Sequence, residues 1–324
     1  MKLAFVEKLS ELATQDWRIV LLTGDLGFQI FDGFRTEHGA RYVNVGVAEA
    51  QMICMAAGLA HEGFRPFAYS IASFVTARCY EQVKLSVAYP GLPVVIVGAG
   101  GGYAYGASGV THHAGDDLAL MRIIPKMTVV APADASEARQ LLPQVLDLDG
   151  PCYFRIGRGC EPQYSVKAPC VLGQGRLLFD GEDVAVLGTG EVGYEVFSAV
   201  QKLREHGIFP VAYQFHTVSP LDNDVLEALA TGVSTIIIAE EHVDAGGFAS
   251  AVREWLSKRN HSTRVIGLGV PDLLPLGNPT QSEIRSRYGF DSESIAAAVV
   301  RSLDLSRRHF WHSTLHHGRN RVSC

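Results

Sequence analysis

The chain has 324 residues, of which 47 % are hydrophobic and 19 % charged, and it carries a net charge of −6 with a pI near 6.1. This composition excludes a disordered polypeptide and a global basic field for nucleic acid, and no apolar run approaches the roughly 18 residues that cross a bilayer. The cysteines at 54, 79, 152, 160, 170 and 324 form no CxxC pair and read as reduced thiols. Together with an N-terminus that patterns as an amphipathic helix rather than a signal peptide, they predict a cytoplasmic protein.

The length favours two domains. Residues 2–14 predict a first helix, with Leu3, Phe5, Val6, Leu9 and Leu12 on one face. RIVLLTG (18–24) is a short apolar run closed by glycine, and Asp25 stands just past its end. In a parallel sheet that carboxyl edge is where sites gather. Residues 26–40 hold three glycines and little periodicity, which predicts a loop over the edge. RYVNV reads as a second strand, and the following run to Ala60 as a helix packed on nearly every face. RPFAYSIASF returns to the same edge, TARCYEQVKLSVAYP continues as a helix, and PVVIVGA (93–99) is the clearest buried strand. An eighteen-residue stretch with six glycines, GGGYAYGASGVTHHAGDD, comes next. MTVVAPAD and CYFRIGR are two further strands around a helix over 134–148.

Residues 159–181 are irregular and include Pro162 and Pro169, as a linker would. A second alternation follows: strands at DVAVLGTG, IFPVAYQFH, STIIIAEE and TRVIGLGV, with helices over 191–206, 222–230 and 247–258. The fold expected is therefore α/β, two successive domains, each a mostly parallel sheet with helices on both faces. Their expected bounds are 1–168 and 176–304, ahead of a basic His/Arg-rich tail at 305–324. GTGEVG (188–193) imitates a dinucleotide fingerprint without its last spacing or its later acidic residue, so it reads as a tight strand-to-helix turn. The HxxH and HH spacings of the tail lack acidic or thiol partners, and no metal site is predicted.

Two stretches carry chemistry. Glu49 is the one charged residue in VNVGVAEAQMICMAAGLA. Desolvation there would raise its pKa and suit it to donate a proton and take it back; a half-wetted Glu at a helix N-terminus is the plainer alternative. In the glycine-rich stretch, His112 and His113 precede Asp116 and Asp117. A histidine there could shuttle protons or simply pack the loop.

Taken in order, VNVGVAEAQMICMAAGLA, SFVTARCYEQVKLSVAYP, GGGYAYGASGVTHH, DDLALMRIIPKMTVVAPAD and YFRIGRG resemble the pyrimidine-binding domain of thiamine-diphosphate enzymes of the transketolase kind. FHTVSPLD and EEHVDAGGFA resemble that family's C-terminal domain. The resemblance spans about residues 1–304 and implies the cofactor thiamine diphosphate with Mg²⁺. It implies that Glu49 hydrogen-bonds the aminopyrimidine N1′, promoting the imino tautomer that deprotonates the thiazolium. It places Phe74 in a stack on the pyrimidine, with Asp25, Ile71 and Arg78 nearby. His112 would reach the substrate, Arg158 would grip a sugar phosphate, and Ser108 and Gln29 would line the substrate site.

The chain departs from the family where GEDGPTH becomes GASGVTH, where a substrate-site histidine falls on Gly100, and where Ile71 and Ala77 replace aromatics. The GDG motif and the later Asn that hold the diphosphate and metal have no counterpart in a matching context. The resemblance therefore implies the smaller, pyrimidine-binding half of a split transketolase, moving a two-carbon ketol unit between sugar phosphates. A separate subunit would bring the diphosphate-binding domain, with two copies of each chain in the assembly and no membrane or nucleic-acid partner. The β-type component of a 2-oxoacid dehydrogenase and a non-catalytic stabilising subunit are the alternatives.

Overall fold

A computed structural model describes residues 1–27, 29–159 and 161–303, so the tail expected at 305–324 lies outside the described residues. Helix α1 (Lys2–Gln15) leads into β1 (Ile19–Thr23), then α2 (Asp32–His38), β2 (Tyr42–Asn44), α3 (Glu49–His61) and β3 (Arg65–Ile71). One-turn helices α4 (Ala72–Val75) and α5 (Tyr80–Gln82) follow, and α5 runs into a π-helical segment, Val83–Ala88, before β4 (Val95–Ala99). The first half closes with α6 (Asp117–Arg122), β5 (Thr128–Val130), α7 (Ala135–Leu146) and β6 (Cys152–Ile156). The second contains β7 (Arg176–Phe179), β8 (Val184–Gly188), α8 (Gly193–Glu205), β9 (Val211–Gln214), β10 (Thr217–Ser219) and α9 (Asn223–Gly232). It ends with β11 (Thr235–Val243), α10 (Phe248–Lys258), β12 (Arg264–Val270), α11 (Gln281–Tyr288) and a helix over 292–303.

The first sheet has the order β10-β5-β6-β4-β3-β1-β2, and the second β12-β11-β8-β9-β7. All pairings are parallel except β10 on β5 and β7 on β9. Every residue of β1, β4 and β6 is buried, because a parallel sheet is covered on both faces. The register aligns Ile71 with Ala99 and Ala99 with Ile156, so three strands end at one level. That level is the edge on which the glycine-rich stretch sits.

The structure corrects several expectations. Residues 32–38 form a helix rather than loop; its anchor is the buried Phe34, and the flanking glycines obscure the period. Leu3 is exposed, and the buried face of α1 is Phe5, Val6, Leu9 and Ala13. Helix α3 is not packed all round: Gln51, Cys54, Met55 and Gly58 are exposed. The stretch expected as irregular contains β7, whose Arg176 is tied to buried Glu137 of α7 at 3.0 Å. The expected 76–90 helix is interrupted at Thr76–Cys79, where the Thr76 hydroxyl bonds back to the Ala72 carbonyl.

The two halves share their interior. One hydrophobic cluster runs from Ile96, Val129 and Tyr153 of the first sheet to Leu187, Phe215 and Ile238 of the second half. Polar contacts fix the angle. Glu241, at the end of β11, accepts the Tyr103 N–H at 2.7 Å and pairs with Arg285 at 2.6 Å. Arg285 also reaches Glu191 and Glu195 at 3.4 and 3.3 Å. Buried Arg155 donates to the Glu241 carbonyl and pairs with Asp117, which the Tyr153 hydroxyl also bonds. The GTGEVG turn belongs here: the Gly190 N–H bonds to the Ala131 carbonyl across the halves.

Burial, reinforced by the neighbouring Glu241, raises the Glu191 carboxyl from 4.5 to about 7. The fold thus favours its protonated form, a contribution complete below the ordinary carboxylate pKa and lost as pH rises through about 7. Glu191→Gln, which cannot ionise, is expected to flatten the fall in Tm between about pH 5 and 8. An unchanged Tm-against-pH slope would contradict this. Arg285→Ala, which removes the cation shared by Glu191, Glu195 and Glu241, should cost about 3–5 kcal/mol in urea unfolding.

Candidate functional site

Glu49 is the first residue of α3, at the carboxyl edge of the first sheet, and is only 3 % exposed. Its two oxygens have different partners. Oε1 accepts the buried Ser70 hydroxyl of β3 at 3.2 Å, and Oε2 pairs with Arg78 Nη1 at 2.9 Å. Room for the carboxylate comes from Gly24, where an added Cβ would meet Glu49 Cγ at 3.3 Å and Oε1 at 3.4 Å. The helix start is fixed from β1. Asp25 adopts φ +55, and its N–H bonds to Asn44 Oδ1 at 3.0 Å while Asn44 Nδ2 donates to Asp25 Oδ1 at 3.0 Å. Asn44 Oδ1 also accepts the Gly46 N–H, so one side chain shapes the turn that delivers Glu49. A non-glycine residue at positive φ persists only where its surroundings hold it, and here the Asn44 pair does.

The interruption after α4 brings Arg78 back over the site. Its guanidinium lies 4.0 Å from the centre of the Phe74 ring while pairing with Glu49. Phe74 faces His112 at 5.2 Å between ring centres, and His112 Nδ1 is 3.0 Å from the Thr111 hydroxyl. Phe74, Ala77, Arg78 and Thr111 line a cleft of about 510 Å³ together with Val243 and Leu274 of the second half. His113 is the packed histidine of the pair: it is buried against Tyr103, with Nε2 3.1 Å from the Gly106 carbonyl oxygen. Asp117 is structural, its carboxyl pushed up to about 6 by burial although Arg155 and Tyr153 oppose the shift.

Arg158 is exposed just past β6, with its guanidinium 5.3 Å from the Tyr105 ring, and Tyr105 lies 6.1 Å from His112. Glu49, Phe74, Arg78 and His112 are therefore joined by contact, and Arg158 connects to them through Tyr105. Ile71 is half-buried where β3 gives way to α4. Ser108 is exposed in the turn Gly106–Ser108. Gln29 lines a separate groove with Ser10, Phe34 and Glu37, against α1 and α2. The structure does not bring it into the contacts around Phe74. Sequence reasoning missed Ser70, Asn44 and Tyr105. Only Tyr105 had a signal, as an aromatic within the glycine-rich stretch. Among the described residues no group of three His, Cys, Asp or Glu side chains is placed to hold a metal ion, and no helix is long and apolar enough to cross a membrane.

These features define a two-domain α/β protein that presents a buried carboxylate, an aromatic face and a histidine at one sheet edge. Residues 1–162 match the transketolase pyrimidine-binding domain, and residues 173–295 match the transketolase C-terminal domain. The chain belongs to the transketolase family, whose enzymes use thiamine diphosphate. It is 37 % identical over 300 residues to an apulose-4-phosphate transketolase subunit of Phocaeicola vulgatus, covering 92 % of this chain and 95 % of that one. It is 35 % identical over 304 residues to 1-deoxy-D-xylulose-5-phosphate synthase 1 of Geobacter metallireducens, covering 91 % of this chain but 48 % of the synthase. A solved structure described as a split gene transketolase, inactive beta4 tetramer, superposes with a TM-score of 0.85 at 32 % identity, over 94 % of this chain and 98 % of that one.

The contact at Gly24 is directly testable. Gly24→Val adds branched atoms where a single Cβ already touches Glu49. Overpacking of this kind is expected to cost about 1–3 kcal/mol in urea unfolding, and a wild-type midpoint would contradict the geometry.

Proposed function

We propose that this chain is the pyrimidine-binding subunit of a two-chain transketolase, moving a ketol unit between sugar phosphates at a site completed by a separate diphosphate-binding subunit. The observation that carries the reading is the position of Arg78. Its planar N–C–N group makes two contacts at once, a stack on Phe74 and a hydrogen bond to the Glu49 carboxylate. An aminopyrimidine, also planar and also an amidine at one edge, would make the same pair of contacts, so the residues fit the cofactor. Arg78 is 47 % exposed in its side chain and lines the cleft.

When bound, thiamine diphosphate supplies the carbon nucleophile of ketol transfer. This chain's residues do the rest. Phe74 offers the stacking face. Glu49, oriented by Ser70 and sheltered from water, holds and returns a proton at the pyrimidine ring nitrogen. His112, next to Phe74, holds the proton of a substrate hydroxyl as the carbon–carbon bond breaks and forms. Arg158 takes the substrate phosphate with a forked cation, a role that supports sugar phosphates over the 2-oxoacids of a dehydrogenase.

The partner subunit, carrying the diphosphate and Mg²⁺, is supported by two observations. The chain covers 95 % of a relative named as a transketolase subunit and 98 % of a solved split-gene transketolase chain. It also exposes large apolar side chains around α3 and the segment after α5, with Val47 78 %, Met55 37 %, Leu85 54 % and Tyr89 88 % exposed. Patches of that kind mark interaction surfaces.

In the reconstituted complex, Glu49→Gln should preserve assembly and lower turnover by at least ~100-fold, the usual scale for an acid–base group. Near-wild-type turnover would remove Glu49 from the reaction and the proposal with it.

A further inference from the structure

Two cations converge on one ring beside the site. Lys2 Nζ donates to the Tyr105 hydroxyl at 2.6 Å and stands 5.1 Å from the ring centre, while Arg158 lies 5.3 Å from the same centre. Among the described residues neither cation is paired with a carboxylate, although the chain carries a net charge of −6. Tyr105 is held in place from behind. Gly100 has φ +69, and a Cβ there would fall 2.0 Å from the Tyr105 ring, so the ring rests directly on backbone where any other residue would push it away. Because Lys2 donates to the phenol oxygen, the phenol hydrogen is left to donate elsewhere. The same ring lies 6.1 Å, centre to centre, from His112.

We propose that Lys2, Tyr105 and Arg158 form an anion clamp that takes the terminal phosphate of the sugar substrate, with Lys2 and Tyr105 acting as specificity-determining residues alongside Arg158. The inference rests on the transketolase reading above and deepens it. A compact ammonium, a forked guanidinium and a phenol hydrogen together satisfy several oxygens of a dianion. The ring that carries both cations also touches His112, so the clamp fixes how far the phosphate lies from the histidine. Gly100 is then a requirement of the clamp, since a Cβ there would collide with the Tyr105 ring.

The test compares a ketose phosphate with the unphosphorylated ketose in the reconstituted complex, using wild type, Lys2→Met, Lys2→Arg and Arg158→Ala. Loss of one charge-assisted hydrogen bond should raise the KM for the phosphorylated sugar about tenfold in Lys2→Met, several times more than for the free sugar. Lys2→Arg should recover most of the loss, which a merely structural role for Lys2 would not predict. Inorganic phosphate, as a competitive inhibitor, should weaken in parallel. If Arg158→Ala is selective for the phosphorylated sugar while Lys2→Met raises both KM values equally or neither, the clamp is overturned and the transketolase reading stands. If the wild-type complex turns over neither sugar, that reading falls. Broadening of the ³¹P signal of inorganic phosphate by the full chain then decides the clamp on its own: its loss in Lys2→Met supports the clamp, and its persistence overturns it.

Discussion

A carboxylate in an apolar bed must be compensated, and the compensation of Glu49 organises the first domain. The charge is admitted because Gly24 leaves space, Ser70 supplies a buried donor and Arg78 supplies the opposite charge. Without those partners its burial would cost several kcal/mol. Each partner imposes a further condition. Ser70 must face Glu49 from β3, and the chain must break after α4 to carry Arg78 back. The turn before α3 must start the helix at residue 49 itself, which the Asp25–Asn44 exchange ensures. The two partners also differ in setting: Ser70 is buried, whereas the Arg78 side chain is half-exposed.

The second domain reaches this site through the glycine-rich stretch. Tyr103 donates its N–H to Glu241, and a Cβ at Gly106 would strike the Pro279 carbonyl oxygen at 2.5 Å. The loop that presents Tyr105 and His112 is thus moulded between the two sheets, and its glycines follow from that close approach. Arg285, shared among three carboxylates, and Arg155, paired with Asp117, hold the halves at the angle this requires. Antiparallel β10 extends the first sheet from the second half of the chain, which ties the domains through backbone as well.

Much of this was legible in the sequence where one physical signal dominated. Continuous apolar runs gave the buried strands β1, β4, β8 and β11, and alternation of strand with helix gave the parallel sheets. Glu49 stood out because it was the one charge in an apolar stretch. The rest was hidden for identifiable reasons. Helix α2 is anchored by Phe34 alone among glycines, too few apolar positions to set a period. The exposed face of α3 carries cysteine, methionine and glycine, which composition cannot distinguish from core. Ser70, Asn44 and Lys2 act through contacts with residues 21, 19 and 103 positions away, and no local pattern marks such pairs. The interdomain network was invisible for the same reason. Glu240 and Glu241 sit side by side in sequence, yet the first caps α10 and the second bonds Tyr103.

Under the proposed function the site is divided between two chains, so cofactor binding depends on both. The most direct measurement is calorimetric binding of thiamine diphosphate with Mg²⁺ to this chain alone, then to this chain mixed with the diphosphate-binding partner. Binding only in the mixture, abolished or weakened by loss of the Phe74 ring, is the expected result. Tight Mg²⁺-dependent binding by this chain alone would contradict the divided site.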